Sequence, residues 1–457
     1  MLDWIPEIRR DGKPLYLEIA DKLESDIRIG KLKAGERLPP QRRLAKRLAI
    51  DFTTVSRAYA EAQTRGLVDS HVGRGTFVAP PAGRTDRVDP DRAASEDATM
   101  NMPPETRDAA LIGKMRAGLD YVGANLVSLL RYQSPTGSVK DKIAASSWLS
   151  MRGMVPKLER IAVTPGAHAT MTAVLSLKTE PGDTVLCEAI TYPGFRGIAK
   201  LLRLNVVGLP MDAAGIRPDA LDAAIRRHRP KMLYVNPTLQ NPTTITMPTD
   251  RRLAVAEILN DRQLPAIEDD AYGFIPPKAP APLAVSAPDL IWHIGGLAKC
   301  IGAGLRLAFT VAPSGTDANA LTQALRAASG MASPISVALA THWIEDGTAD
   351  GIRRFIRAES AARQSMAADL LAGLDFAADP YAFNIWLRLP PGRYGRADVM
   401  GRLANRHLAA MPSDSFTVLG QPQEALRICL GGSITRDELV ADLRFLASAL
   451  NARDWFS

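Results

Sequence analysis

Apolar positions in the first eighty residues recur at helical spacing. In PLYLEIADKLESDIRIG, residues 14–30, Leu15, Ile19, Leu23 and Ile27 fall every fourth position and predict an amphipathic helix that stops at Gly30. LPPQRRLAKRL, residues 38–48, predicts a second helix, opened by prolines and turning Leu44 and Leu48 inward. DFTTVSRAYAEAQTRG, residues 51–66, predicts a third, with Asp51 or Thr53 as N-cap, Val55 and Tyr59 apolar, and Gly66 closing it. LVDSHVGRGTFV then reads as two short strands around Gly73-Arg74-Gly75, a tight hairpin. Three helices followed by a hairpin make a winged helix-turn-helix.

The pattern breaks at PPAGRTDRVDPDRAASEDAT, residues 80–99, which has no apolar period and is rich in Pro, Asp, Arg and Ala, as linkers are. Beyond it, short β-like runs alternate with alanine-rich helical ones: RIAVTPG, TVLCEA, KMLYVNP, LPAIEDD and LRLAFTVAP. That alternation predicts a mostly parallel sheet covered by helices. The expected division is therefore residues 1–79, a linker over 80–100, and a large α/β domain over 101–457.

Composition narrows the class. With 56 Lys and Arg against 49 Asp and Glu among 457 residues, the formal charge of +7 makes an anionic partner worth testing. The excess concentrates between positions 28 and 47, where Arg28, Lys31, Lys33, Arg37, Arg42, Arg43, Lys46 and Arg47 face Glu36 alone. Such a patch neutralises phosphates and releases counterions. Cys187, Cys300 and Cys429 are odd in number, far apart and each inside an apolar run, so reduced thiols are expected and neither disulfides nor a metal site. No signal-like stretch and no run of about 18 or more apolar residues is found, which leads us to expect a cytoplasmic protein that does not enter a membrane.

The third predicted helix carries Thr53, Thr54, Ser56 and Arg57 near its start, the end that enters a major groove in helix-turn-helix proteins. Residues 14–78 closely resemble the GntR family of winged-helix repressors through the leucine-proline entry, the R-x-L-A helix, T-T-V-x-R-A-Y and the G-x-G-T-F-V wing. The resemblance implies a double-stranded DNA operator, touched by Arg42, Thr53, Thr54 and Arg57, with Arg74 on the wing. Phe52 departs from the pattern, which usually has a basic residue just before Thr-Thr.

HIGGLAKCIGAGLRLAF, residues 293–309, sets Lys299 and Arg306 among glycines and apolar residues. A desolvated lysine has more of its free, nucleophilic form and is a Schiff-base candidate. Its natural complement is pyridoxal 5'-phosphate, which needs amides and a cation for its phosphate, a carboxylate for its ring nitrogen, donors for its phenolic oxygen and an aromatic plate. The chain offers Gly166, Ala167 and His168 between a strand and a helix, Tyr192 after another strand, and Asn241 in NPTLQNPTT. It further offers Asp269 at a strand end with Tyr272 three residues on, Arg306 as a fixed fork, and Arg427 inside a late strand for a substrate carboxylate. Of the neighbours Asp269 and Asp270, strand alternation sends only one inward, and the spacing to Tyr272 selects Asp269.

The order of these elements resembles fold-type I aminotransferases from about residue 101 onward. That resemblance implies an internal aldimine on Lys299, Asp269 on the ring nitrogen, Tyr272 and Asn241 on the phenolic oxygen, Arg306 on the phosphate and Arg427 as carboxylate clamp. It also implies a homodimer in which Tyr132 reaches the neighbouring subunit's phosphate, and Trp386 lining the ligand cavity. The hydroxyl residues common three before and one before the lysine are replaced by Gly296 and Ala298. Taken in order, the two segments resemble the MocR subfamily of GntR-type regulators, in which an amine or amino acid exchanges onto the cofactor and alters the dimer on DNA. The alternative is a catalytically active aminotransferase with a fused DNA-binding domain.

Overall fold

The computed structural model describes residues 4–8, 13–33, 35–65, 67–71, 75–79, 100–390, 395–404 and 406–451. It divides into two compact units, Met1–Glu96 and Asp97–Ser457.

In the smaller unit, α1 (Leu15–Arg28), α2 (Gln41–Leu48) and α3 (Phe52–Thr64) precede an antiparallel hairpin of β1 (Val68–His71) and β2 (Gly75–Val78). The predicted stripe faces inward: Ile19, Leu23, Leu44, Val55 and Tyr59 are buried together with Trp4, Val68 and Val78. Each fully buried aliphatic side chain contributes about 2 kcal/mol. Leu15 and Ile27, at the stripe's ends, are only half-buried. Asp51 takes the N-cap of α3, its carboxylate accepting the Thr53 N–H at 2.7 Å. The Tyr59 hydroxyl donates to the Pro39 carbonyl at 2.8 Å and fastens α3 to the entry of α2. Gly75 has φ +107, and a Cβ there would lie 2.6 Å from Arg37 Nε, so this end of the hairpin requires glycine. Gly66, Gly73, Arg74 and the expected linker over 80–99 lie outside the described residues.

The larger unit is built on a seven-stranded sheet in the order β3 (Ile161–Thr164), β11 (Ala308–Val311), β10 (Ile291–Gly296), β9 (Ala266–Asp269), β8 (Met232–Val235), β4 (Thr184–Glu188), β5 (Asn205–Leu209). Every neighbouring pair is parallel except those of β11, which runs antiparallel to both β3 and β10. The expected LRLAFTVAP strand is thus present, as the one antiparallel member of a sheet that is mostly parallel as expected. The connection from Gly296 to Ala308 holds only short helical turns, Ala298–Gly302 and Ala303–Leu305, and a parallel return needs a crossover of a dozen or more residues. A two-stranded ribbon of β6 (Met211–Asp212) and β7 (Gly215–Ile216) lies outside this sheet.

Two buried apolar clusters pack against the large sheet, one of them containing Val163, Leu233 and Phe309 and the other Val185, Tyr234 and Ile294. α4 (Ala109–Ala124) and α5 (Val139–Ser150) contribute to the first; α6 (Ala167–Lys178) and α7 (Pro193–Leu201) contribute to the second. A second, antiparallel sheet has the order β12 (Phe376–Ala377), β13 (Asn384–Arg388), β15 (Ala425–Cys429), β14 (Ala410–Pro412) and its own core. Among the described residues no helix is long and apolar enough to cross a membrane.

Candidate functional site

Because β3, β4, β8, β9 and β10 run the same way, the residues that follow them gather at one edge of the sheet. Crevices outside the carboxyl ends of strands are where open α/β sheets bind ligands. Here that edge holds a cleft of about 960 Å³, measured out to its open mouth. Gly166, Ala167 and His168 reach it after β3, Tyr192 after β4, Asn241 after β8, Asp269 and Tyr272 at the end of β9, and Lys299 after β10. Arg306, entering β11 from the same edge, completes the wall. The structure therefore brings together nine of the residues singled out in the sequence.

Local structure explains several of these placements. Gly166 caps α6 with φ +93, a conformation that L side chains avoid, and sets the start of the helix, whose first amides have no partner within it, at the cleft. Arg306 adopts the left-handed conformation at φ 52 after the turn Ala303–Leu305. For an arginine this conformation is uncommon, and such outliers persist where the surroundings dictate them. His168 Nε2 lies 2.6 Å from the Tyr192 hydroxyl, which fixes both rings at the cleft. Burial, and after it the charges of Arg306 and Lys299, lower the His168 pKa.

Asp269 Oδ2 accepts from the Tyr234 hydroxyl at 2.9 Å, while its buried Oδ1 has no hydrogen-bond partner. Burial pushes this carboxyl up to about 6, helped by the adjacent Asp270 and opposed by Tyr234 and Lys299. An ionisable oxygen left unsatisfied in a cleft is a receptor for a donor on a ligand. Asp270 points elsewhere: its carboxylate binds Arg152 Nε at 2.7 Å and lies 3.1 Å from His293 Nε2. Lys299 follows the same logic from the other side. Burial, with the charges of Arg427 and Arg306, brings its amine down to about 8.

Some expected residues lie outside the cleft lining. Trp386 packs edge-on against Phe416, with ring centroids 5.8 Å apart, in a small apolar cluster of its own. Its strand neighbour Arg427 is fully buried, with its guanidinium carbon 5.5 Å from the centre of the same Phe416 ring. Arg427 nonetheless acts on the cleft by charge: it adds to the burial that lowers Lys299 and opposes the burial that raises the Tyr192 and Tyr272 hydroxyls. Tyr132 is 97% exposed on a loop and does not line the cleft of its own chain. Gly296 has room for a side chain, since a Cβ there would meet its nearest atoms at 3.9 Å. The missing hydroxyl at that position is therefore not imposed by crowding.

Residues not singled out in the sequence also enter the site. Asn236 joins Asp269 to Asn241, donating Nδ2 to the Asp269 carbonyl at 2.7 Å and accepting the Asn241 N–H at 2.9 Å. Its own N–H donates at 2.7 Å to Glu188, a carboxyl that burial raises to about 7. The repeated Asn-Pro of NPTLQNPTT was the available hint. Met100, Asn101 and Met102, just past the linker composition, were not detectable.

In the smaller unit, Arg42, Thr53, Thr54 and Arg57 gather toward the start of α3. The Arg42 guanidinium sits 5.9 Å from the centre of the exposed Phe52 ring, and Arg57 lies 4.2 Å over Tyr16. The Thr53 hydroxyl is held by Asp51. Arg74 lies outside the described residues.

Known proteins match both units. The model of aminotransferase class I and II matches residues 115–443, and that of bacterial regulatory proteins, gntR family, matches residues 15–78. The uncharacterised HTH-type transcriptional regulator YdeF of Bacillus subtilis (strain 168) is 28% identical over 98% of this chain and 97% of its own. The probable rhizopine catabolism regulatory protein MocR of Rhizobium meliloti is 26% identical over 66% of each chain. Among solved structures, LysN, an alpha-aminoadipate aminotransferase from Thermus thermophilus complexed with N-(5'-phosphopyridoxyl)-L-leucine, superposes with TM-score 0.69. It is 22% identical and covers 79% of this chain and 96% of its own, a likeness of fold.

Proposed function

The chain belongs to the aminotransferase class I and II family and carries a gntR-family segment, and from that premise we propose that it is a transcription regulator whose larger unit senses an amine or amino acid through bound pyridoxal 5'-phosphate. The division is residues 1–79 for DNA, 80–100 as linker and 101–457 as receptor. The observation that carries this reading is the pairing, in one cleft, of a partly buried amine lowered to about 8 with a buried carboxylate oxygen that has no partner.

The residues present fit the cofactor. Lys299 supplies the amine for its aldehyde, and Asp269 Oδ1 receives a proton-bearing ring nitrogen. Tyr272 and Asn241 face a phenolic oxygen, Tyr192 offers a ring plate, and the amides at Gly166, Ala167 and His168 with Arg306 take a phosphate. Bound there, the cofactor supplies an aldehyde carbon that exchanges amines and a ring that withdraws electrons. Arg427 holds the ligand's carboxylate, Trp386 braces the Phe416 ring beneath it, and Tyr132 serves a second copy in a homodimer. A cytoplasmic protein on double-stranded DNA completes the proposal.

The test is an absorbance titration. Purified protein mixed with pyridoxal 5'-phosphate gains a visible band, and its rate of appearance rises through a midpoint near pH 8, not near the usual 10.5. A preparation that stays colourless at every pH refutes the proposal. On the DNA side, Arg57→Ala weakens binding to fragments selected from a random pool. It also flattens the slope of log affinity against log salt by about one. An unchanged slope removes Arg57 from the interface.

The family match also favours a second reading, a working aminotransferase. Steady-state turnover over a panel of amino donors and keto acids separates the two.

A further inference from the structure

The first residues described after position 99 form part of the cleft wall. Met100 and Met102 line it, and Asn101 between them is 2% exposed. The Asn101 carbonyl accepts a hydrogen bond from Lys299 Nζ at 2.5 Å. Its side-chain Nδ2 donates to Asn384 Oδ1 at 2.9 Å and to the Tyr272 hydroxyl at 3.2 Å. Asn384 in turn donates to the carbonyl of Pro242 at 2.9 Å, beside Asn241. One buried residue thus connects the amine, the tyrosine and the asparagine loop.

Just downstream the segment is latched to the end of β15. The Gly432 N–H donates to the Pro103 carbonyl at 3.1 Å, the Glu105 N–H donates to the Gly432 carbonyl at 3.3 Å, and the Cys429 thiol donates to the Met102 carbonyl at 3.6 Å. A Cβ on Gly431 would fall 1.7 Å from the Met102 oxygen, so this close passage depends on that glycine.

A free lysine ammonium has three N–H donors, enough to serve a backbone carbonyl as well as a ligand. A lysine joined to an aldehyde carbon keeps at most one, which turns to the cofactor. The buried Asn101 carbonyl is then unsatisfied, and an unmade buried bond costs more than the bond contributes when formed.

We propose that Asn101 is a positioning residue that reads the covalent state of Lys299 and passes it to residues 100–105, the stretch continuous in sequence with the linker to the DNA-binding unit. The inference rests on the function proposed above. The segment is latched while the lysine is a free amine and loosened when the lysine carries the cofactor. It latches again when an incoming amine displaces the lysine. In the loading step the amine condenses with the aldehyde carbon, whose oxygen leaves as water. In the exchange step the C=N bond passes to the incoming nitrogen, and the two hydrogens it loses end on the lysine. A ligand and its absence are in this way distinguished by a single carbonyl.

The test follows hydrogen exchange at Gly432 and alkylation of Cys429 by N-ethylmaleimide in the full chain. Three states are compared: cofactor-free, saturated with pyridoxal 5'-phosphate, and treated afterwards with hydroxylamine, which captures the aldehyde carbon and frees the lysine. Both rates rise about tenfold on loading and fall back with hydroxylamine, while Cys187 and Cys300 stay slow. Lys299→Ala, lacking the donor, shows the fast rates in all three states; Lys299→Arg, which keeps a donor yet forms no C=N bond, shows the slow ones. A visible band with unchanged rates at Gly432 and Cys429 overturns the inference and leaves the cofactor reading standing. Absence of any band removes that reading, and the inference with it.

Discussion

With Lys299 replaced by alanine, pyridoxal 5'-phosphate produces no visible band and no amino acid alters DNA affinity, while the affinity itself stays within about twofold of the parent. Among the described residues lining the cleft, this amine is the one group able to join an aldehyde carbon, and the core that holds α3 does not include it. The amides at the start of α6 and Arg306, which the proposed function assigns to a phosphate, survive, so the variant is expected still to take up cofactor, weakly and without colour. A ligand response that persists in this variant would sink the sensing mechanism. Stability moves the other way. The Lys299 pKa is lowered in the folded chain, so its charge opposes folding at every pH below about 10.5, fully so below about 8. Lys299→Met, which fills the same space without the charge but strands the Asn101 carbonyl, is therefore expected to stabilise the cofactor-free protein at pH 7 by only about 1 kcal/mol. Urea melts of the two cofactor-free proteins at pH 7 and pH 9 check the sign, since the gain shrinks as the lysine loses its proton.

Elements whose signal is local were legible in the sequence. Ile19, Leu23, Leu44, Val55 and Tyr59 form one core because their four-residue spacing is what a helix face demands. Asp269 was separable from Asp270 because a strand sends neighbours to opposite sides, and Asp269 does line the cleft while Asp270 pairs with Arg152. Properties set by distant chain were not legible. The reversal of β11 follows from its short connection, yet the run LRLAFTVAP reads the same in either direction. Trp386 sits on a strand directly opposite Arg427, and only the placement of Phe416, thirty residues away, decides that the indole packs beside the cleft and not in its lining. Asn101 lies 198 positions from Lys299, and no periodicity encodes a backbone carbonyl that meets an amine across that separation. Asn236 is intermediate, because Asn-Pro repeated five residues apart marked the loop without saying which asparagine faces the cleft and which holds the loop.

Arg152→Leu is expected to destabilise the larger unit by about 3–5 kcal/mol, the largest single loss among the changes considered. The guanidinium is 4% exposed and grips Asp270 through Nε at 2.7 Å and Nη2 at 3.2 Å, while Asp270 and His293 are fully buried. The carboxylate is also pressed on Gly273, where a Cβ would come within 2.1 Å of Oδ1, so it has no room to swing toward water. Burial alone would push Asp270 up, but Arg152 and His293 outweigh it and hold the carboxyl well below the usual range. Because the folded value is depressed, this stabilisation is complete above the unfolded carboxylate pKa of about 4 and fades only as pH falls toward the folded value. Loss of Arg152 leaves burial, the largest single influence on this carboxyl, opposed by His293 alone, so the carboxyl is expected to rise above its unfolded value and the variant's deficit to narrow as pH drops from 7.5 toward 5. Urea unfolding at those two pH values measures it, and a deficit that is equal or larger at pH 5 contradicts the assignment. Arg152→Leu with Asp270→Asn recovers most of the loss, since no charge then remains without its partner. The same substitution at Asp270 tells on the cleft: its charge is one of the forces raising Asp269, so Asp270→Asn lowers the Asp269 pKa toward the ordinary carboxylate range. The buried ion pair thereby adds, after burial itself, to the proton affinity of the neighbouring carboxylate in the cleft.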